Sequence, residues 1–378
     1  MKKLNQSGIA HWILPSLAVL IIGAIGYRVV ASHGGTLAPK SAYALSSKST
    51  GHLDQVNTLT LAGSNLQQFA INQQLKEAYS ISAKFSTWSL SNPSSPQLLT
   101  SISPTPTRIA VSSDGKYVYA VGSQLVVYQT STDPNNPLTQ VGSVSFQGSA
   151  PDKISVRGND VFLNEYSSTT SEPKVEIFDV SNPTNPTEVA QLSTGSDLLK
   201  SPTYTVAQGH YLYVNSNAND TFNVFDTTKE ANPKLLTSVK LPLGTYNDSA
   251  GDIAFYGNYA YVAGINSNKV SVIDLTNPKS PQLVTSFTPP SQNTAYADDP
   301  YGLLVQNNKL FMYNINGANP SVISYDLSTD PTNPTYVQTV SYSGVSPSGF
   351  DIYRNYLYVV TNIDNGPSTG TVYIYKVQ

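Results

Sequence analysis

A phrase present in six copies constrains this chain more than any other feature. The clearest copy is Val270-Ser271-Val272-Ile273-Asp274-Leu275-Thr276-Asn277-Pro278-Lys279-Ser280-Pro281, and residues 175–186 repeat its pattern closely. Weaker copies end at Asn92-Pro93, Asp133-Pro134, Asn232-Pro233 and Asp330-Pro331. The first prolines fall at 93, 134, 183, 233, 278 and 331, in steps of 41, 49, 50, 45 and 53 residues. A period of about 40–50 residues made of strands is the signature of a β-propeller blade.

A second phrase lies between the copies. It reads Gly257-Asn258-Tyr259-Ala260-Tyr261-Val262-Ala263, with relatives at residues 115–121, 158–164, 209–215, 307–313 and 354–360. In each a tight turn precedes an apolar run. Four strands per unit follow, in the fifth unit at 252–256, 259–264, 269–275 and 282–287. The third of these is apolar on both faces, with Val270 and Val272 on one side and Ile273 and Leu275 on the other. A one-sided antiparallel sheet alternates cleanly between apolar and polar. A blade packed between two neighbours does not, so the pattern predicts face-to-face stacking in a ring.

The N-terminal part carries one more copy. Phe69-Ala70-Ile71 aligns with Ile109-Ala110-Val111 at an offset of 40, which also sets Tyr79 on Tyr119, Phe85 on Leu125 and Trp88 on Tyr128. A helix over residues 65–78 competes, because Gln, Leu, Lys, Glu and Ala favour one, and it would leave six blades. The register match favours strands and an all-β, seven-bladed propeller. The last unit, residues 350–377, stops after its third strand. An empty fourth position would expose a sheet edge, so residues 56–62, Val-Asn-Thr-Leu-Thr-Leu-Ala, are assigned as the strand that closes the ring.

Ahead of the propeller, residues 12–31 form an apolar run of 20 residues whose one full charge is Arg28. As a helix at about 1.5 Å per residue it spans about 30 Å, the hydrocarbon thickness of a bilayer. Trp12 and Tyr27 sit near its ends, as interfacial aromatics do. The run is longer than a signal-peptide core, although Lys2, Lys3 and the small residues near Ala31 permit that alternative. The expected layout is a cytoplasmic tail at 1–11, a transmembrane anchor at 12–31, a flexible tether at 32–55 and the propeller at 56–378, extracytoplasmic with the N-terminus inside. The membrane is therefore an expected partner.

Val272-Ile273-Asp274 followed by Asn277-Pro278 and Pro281, together with the Gly257–Ala263 phrase, resembles the LVIVD-repeat family of prokaryotic propellers. The resemblance covers roughly residues 68–378. It implies an exported or surface protein and supplies no catalytic residues.

Composition removes several functions. Charged residues make up 12% and the net charge is −3, with no basic block beyond the N-terminus. Nucleic-acid binding needs clustered Lys and Arg, so it is not expected. The chain has no Cys, which excludes thiolate metal sites and a Cys nucleophile. Of four histidines, His11, His33 and His52 belong to the anchor and tether, and His210 takes a turn position held elsewhere by Asn258 or Lys116. Asp179, Asp226, Asp274 and Asp326 share one place at the end of the third strand. They are read as acceptors for backbone N–H groups of the next turn rather than as calcium ligands. Residues 362–366 only faintly match a calcium loop. No cofactor or metal is expected.

The remaining candidates are irregular loops at 241–251, 288–300, 314–320 and 361–370, on the face shared with the channel mouth. Binding usually resides on such loops over a rigid scaffold. Tyr246, Asp248, Tyr296, Asp298, Asp299, Asn316 and Asp364 are the candidate ligand-binding residues. The function expected from these readings is a non-enzymatic surface scaffold that binds a protein or glycan and serves in adhesion. The alternative is an exported hydrolase or lyase acting on polysaccharide, which a carboxylate pair about 5–10 Å apart at the channel mouth would favour.

Overall fold

A computed structural model describes residues 50–61, 68–146, 151, 153–165, 174–193, 202–216, 220–242, 250–265, 267–290, 300–315, 320–363 and 370–378. The expected anchor and most of the tether lie outside these residues. Among the described residues no helix is long and apolar enough to cross a membrane.

The described chain forms seven four-stranded antiparallel sheets, which are the blades of a propeller. Their innermost strands are Gln68–Asn72, Arg108–Val111, Lys153–Arg157, Pro202–Gln208, Ala250–Tyr256, Pro300–Gln306 and Val345–Tyr353. Each touches the innermost strand of the next blade, and the last touches the first, so the ring is closed. Residues 68–72 and 77–81 are strands of blade 1, which removes the helical reading and the six-bladed alternative.

The core is divided among the blade interfaces. Seven separate apolar clusters fill them, one to each. Strand Lys269–Asp274 shows why both of its faces are apolar: Val270 and Val272 pack toward blade 6, while Ile273 and Leu275 pack toward blade 4.

Turn chemistry fixes the blade outline. The hairpin between the first two strands carries a residue at positive φ in every blade, and Gly115, Gly158, Gly209 and Gly257 supply it in four of them. In the third-to-fourth connection, Asp179, Asp226, Asp274 and Asp326 each accept a backbone N–H two residues on, at 2.7 to 2.8 Å. The following proline turns lock neighbouring blades. Tyr261 Oη donates to the Pro331 carbonyl of blade 6, and Tyr358 Oη to the Pro93 carbonyl of blade 1, both at 2.6 Å. Gly142 lies so close to the blade 3 turn that an added Cβ would stand 2.2 Å from the Pro183 oxygen.

Blade 7 takes its outer strand from the other end of the chain. Leu53–Leu61 pairs antiparallel with Gly370–Val377 along its length. It begins three residues before the stretch read from the sequence, and a bulge between Gln55 and Asn57 leaves Val56 44% exposed. Leu53 and Leu61 at the two ends are the buried residues. Gly51 N–H donates to the Gln378 carbonyl and Gln378 N–H to the His52 carbonyl, at 2.8 and 2.9 Å.

Removal of residues 1–49 should leave the melting temperature unchanged, because the closing strand stays intact. Removal through Gly63 should lower it by several degrees, the size of effect expected when a few kcal/mol is lost from a large domain; thermal denaturation of the two truncations distinguishes them. A second expectation concerns Glu77, which is buried and accepts the Tyr79 hydroxyl at 2.9 Å. Burial raises its pKa to about 7. A carboxyl raised in the folded state gives up stability as pH climbs from its unfolded value toward that figure. Glu77→Gln keeps an acceptor for Tyr79, so its melting temperature should match wild type near pH 4.5, exceed it increasingly up to pH 7, and stay ahead by a constant margin above.

Candidate active site in the channel

The innermost strand of a blade has one ladder partner and one free edge, and that edge faces the channel. Several edges are tied to the next blade by side chains. Gln68 both accepts from Ile109 N–H and donates to the Ile109 carbonyl, at 2.9 and 2.7 Å. Ser155 Oγ accepts Ala207 N–H, and Asp351 accepts Ile71 N–H across the closure. Asp252 accepts Ile253 N–H at 2.9 Å and reaches Leu303 N–H of blade 6 at 3.5 Å.

One rung of the ring gathers the reactive groups. Opposite Ile81, Val121, Asn164 and Asn215 of the second strands stand Gln68, Arg108, Lys153 and Tyr204. Blades 4 to 7 each have a β-bulge at or next to this rung that inserts one extra residue in the innermost strand. Bulges re-aim side chains and recur beside active sites. Here they place Asp252 and Tyr301 among the channel groups.

Contacts between blades that are not neighbours put these side chains in the channel. Lys153 Nζ of blade 3 stands 3.4 Å from both carboxylate oxygens of Asp252 in blade 5. It also lies over the Tyr204 ring, 4.8 Å from the centroid. Tyr204 of blade 4 meets Tyr301 of blade 6 edge to face, with centroids 6.0 Å apart. Tyr301 continues to Tyr313, and Tyr313 to Phe350 of blade 7. The Arg108 guanidinium, from blade 2, is close enough to favour ionisation of the Tyr313 hydroxyl, although burial outweighs it. Burial holds Tyr204 and Tyr313 well above the usual tyrosine range, and the neighbouring Tyr301 and the Asp252 charge add to it, so both rings stay neutral. Lys153 and Asp252 side chains remain 31% and 16% exposed, which leaves the pair reachable by a solute. Such a pair can polarise a carbonyl from one side and take a proton from water on the other.

Among the described residues no group of three or more His, Cys, Asp or Glu could hold a metal ion. Tyr246, Asp248, Tyr296, Asp298, Asp299, Asn316 and Asp364 all lie outside the described residues.

A family model described as Lactonase, 7-bladed beta-propeller matches residues 79–377. The chain belongs to that family. No curated protein matches it. Among solved structures it is similar to a candidate 6-phosphogluconolactonase of Bacteroides uniformis, with 17% identity, a TM-score of 0.60, and 76% of this chain and 88% of that one covered. A candidate 6-phosphogluconolactonase of Bacteroides fragilis gives 15%, 0.60, 86% and 95%. The periplasmic gluconolactonase of Pseudomonas aeruginosa gives 14%, 0.63, 85% and 96%. At these identities the likeness shows the fold.

Family membership corrects three expectations. The LVIVD-repeat resemblance gives way to the lactonase propellers. The residues that carried it are aspartate caps, proline turns and blade-locking tyrosines, which report how a blade is built and not which family built it. The non-enzymatic scaffold and the adhesion role give way to an enzyme on a propeller, closer to the alternative reading. Among the described residues the channel brings together Lys153, Arg108 and the Asp252 carboxylate, a combination that histidine or paired-carboxylate patterns do not mark. One signal was available: in a chain with 12% charged residues, Arg108 and Lys153 each open the innermost strand at one repeat position, and Asp252 holds a neighbouring one.

Proposed function

We propose that the protein hydrolyses a lactone in its central channel. The observation that carries this reading is the Lys153–Asp252 pair, drawn from blades 3 and 5 of a lactonase-family propeller. Opening a cyclic ester requires water to attack the carbonyl carbon, stabilisation of the resulting oxyanion, and a proton for the departing ring oxygen. Asp252 takes the proton from water as the new C–O bond forms. Lys153 stabilises the oxyanion, since a fixed charge in a water-poor site acts strongly on developing charge. The ring C–O bond then breaks, and the proton held by Asp252 passes to the ring oxygen. The new carboxylic acid loses its remaining proton to solvent, and Arg108 receives the resulting carboxylate. The names of the structural neighbours support this class of substrate and leave its substituents open.

Lys153→Met keeps the side-chain length and removes the ammonium that lies over Tyr204, and Asp252→Asn keeps an acceptor for Ile253 N–H. Each should lower kcat for lactone opening by about 10²- to 10⁴-fold, the usual weight of an acid–base group, with melting temperatures within a few degrees of wild type. Full activity in both would place the chemistry elsewhere.

We also propose that the enzyme works outside the cytoplasm, on the strength of the apolar run at residues 12–31 after Lys2 and Lys3. Fractionation of cells expressing the full chain, with accessibility to added protease, is expected to find the propeller outside the cytoplasm; a protein in the cytoplasmic fraction would refute it.

A further inference from the structure

We infer that Tyr204 and Tyr301, backed by Tyr313 and Phe350, determine which lactones the channel accepts: a compact ring stacks on this aromatic arc, and a lactone bearing a long alkyl chain is excluded. The inference rests on the lactone-hydrolase reading and adds the residues that select the substrate.

The channel is chemically two-sided at the rung of Lys153. Arg108 and Lys153 stand on the arc of blades 2 and 3. Along the arc of blades 4 to 7, blades 4, 6 and 7 contribute aromatic rings and blade 5 contributes Asp252. Tyr204 and Tyr301 meet at 6.0 Å and 81°, Tyr301 and Tyr313 at 6.0 Å and 30°, and Tyr313 and Phe350 at 4.9 Å and 89°. These rings come from three blades, so they form a continuous surface and not a local pair.

The surface is also fixed in place. Tyr313 is buried and lies flat on Gly302, where an added Cβ would fall 2.0 Å from its ring. Its hydroxyl donates to the Ser348 carbonyl of blade 7 at 3.2 Å. Tyr301 and Tyr204 are mostly buried but keep part of their surface exposed, and that part is what a ligand meets. A ring whose face packs on Tyr301 turns its ester carbonyl toward Lys153 and Asp252. Contacts that skip a blade, Lys153 to Asp252 and Tyr204 to Tyr301, narrow the channel at this rung. A long flexible substituent therefore has no path past them. Apolar pockets discriminate weakly by size alone, so exclusion here depends on rigid rings and not on lost contacts.

The test uses the full chain with Tyr301→Ala, Tyr301→Phe and Tyr204→Ala. Turnover is measured on glucono-δ-lactone and γ-dodecalactone, and binding on gluconolactam and a dodecyl-chain lactam, which cannot be hydrolysed. Wild type should open and bind the compact ring and ignore the long-chain one. Tyr301→Ala should weaken compact-ring binding by about tenfold, the upper weight of an aromatic contact, and gain measurable binding of the long-chain lactam. Tyr204→Ala should move both in the same direction, and Tyr301→Phe should behave as wild type. Equal loss for both ligands in Tyr301→Ala, or ready acceptance of the long chain by wild type, overturns the inference. Absence of turnover with the lactam discrimination intact would sink the hydrolase reading and leave the aromatic selection standing.

Discussion

Everything in this propeller depends on blades that are apolar on both faces. A strand such as Lys269–Asp274, with Val272 on one side and Ile273 on the other, cannot be satisfied by one neighbour. Each blade needs two, and only a closed ring gives every blade two. The core is therefore seven thin layers and not one interior, with no central mass of side chains holding the domain. Blade 7 makes the consequence plain. It lacks an outer strand of its own, and Leu53–Leu61 supplies it, so the first and last described strands become hydrogen-bonded neighbours. Opening the ring at that point removes a ladder as well as a packed layer.

The same geometry creates the site. Ring closure leaves the innermost edges unpaired around a channel, and buried backbone groups need partners. Gln68, Ser155, Asp252 and Asp351 supply them from neighbouring blades. Asp252 does this while facing Lys153 across the channel. One carboxylate thus joins two blades and forms half of the reactive pair. Its geometry is set by the ring, which is the preorganisation that catalytic charges require. The bulges of blades 4 to 7 add to this by bringing extra residues to one rung without disturbing the outer ladders.

The parts of the molecule that were legible in the sequence are those whose chemistry is local. Asp274 caps the turn beside it, Gly257 takes positive φ where the hairpin needs it, and Pro278 ends the strand before it. Each leaves a mark within a few residues, and together they give the period, while the apolar register of residues 69–88 adds the first blade. The outward place of Val56 was not legible, because a bulge of one residue reverses which side chains face the core. The site was less legible still. Arg108, Lys153 and Asp252 lie in three separate repeats, the last two 99 residues apart, and only ring closure brings them together. Irregular loops attract notice because they break the pattern. Channel residues replace a side chain within the pattern and leave its period untouched.

That contrast explains why the repeat phrases pointed to the wrong family. Tyr261 and Tyr358 donate to proline carbonyls of the next blade, and the aspartates cap the intervening turns. Any propeller with four-stranded blades and short outer turns gains from the same bonds, so they are selected by architecture. The channel rung answers to a different demand. Gln68, Arg108, Lys153 and Tyr204 occupy equivalent places and share neither charge, size nor hydropathy. No packing requirement common to the blades explains that variety, since Gln68 bonds the next blade while Lys153 reaches across the channel to Asp252. Divergence at one rung of an otherwise repetitive ring is where the molecule departs from its own construction rule, and departures of that kind are expected at functional sites. The repeated residues therefore identify the scaffold, and the residues that break the repetition identify the chemistry.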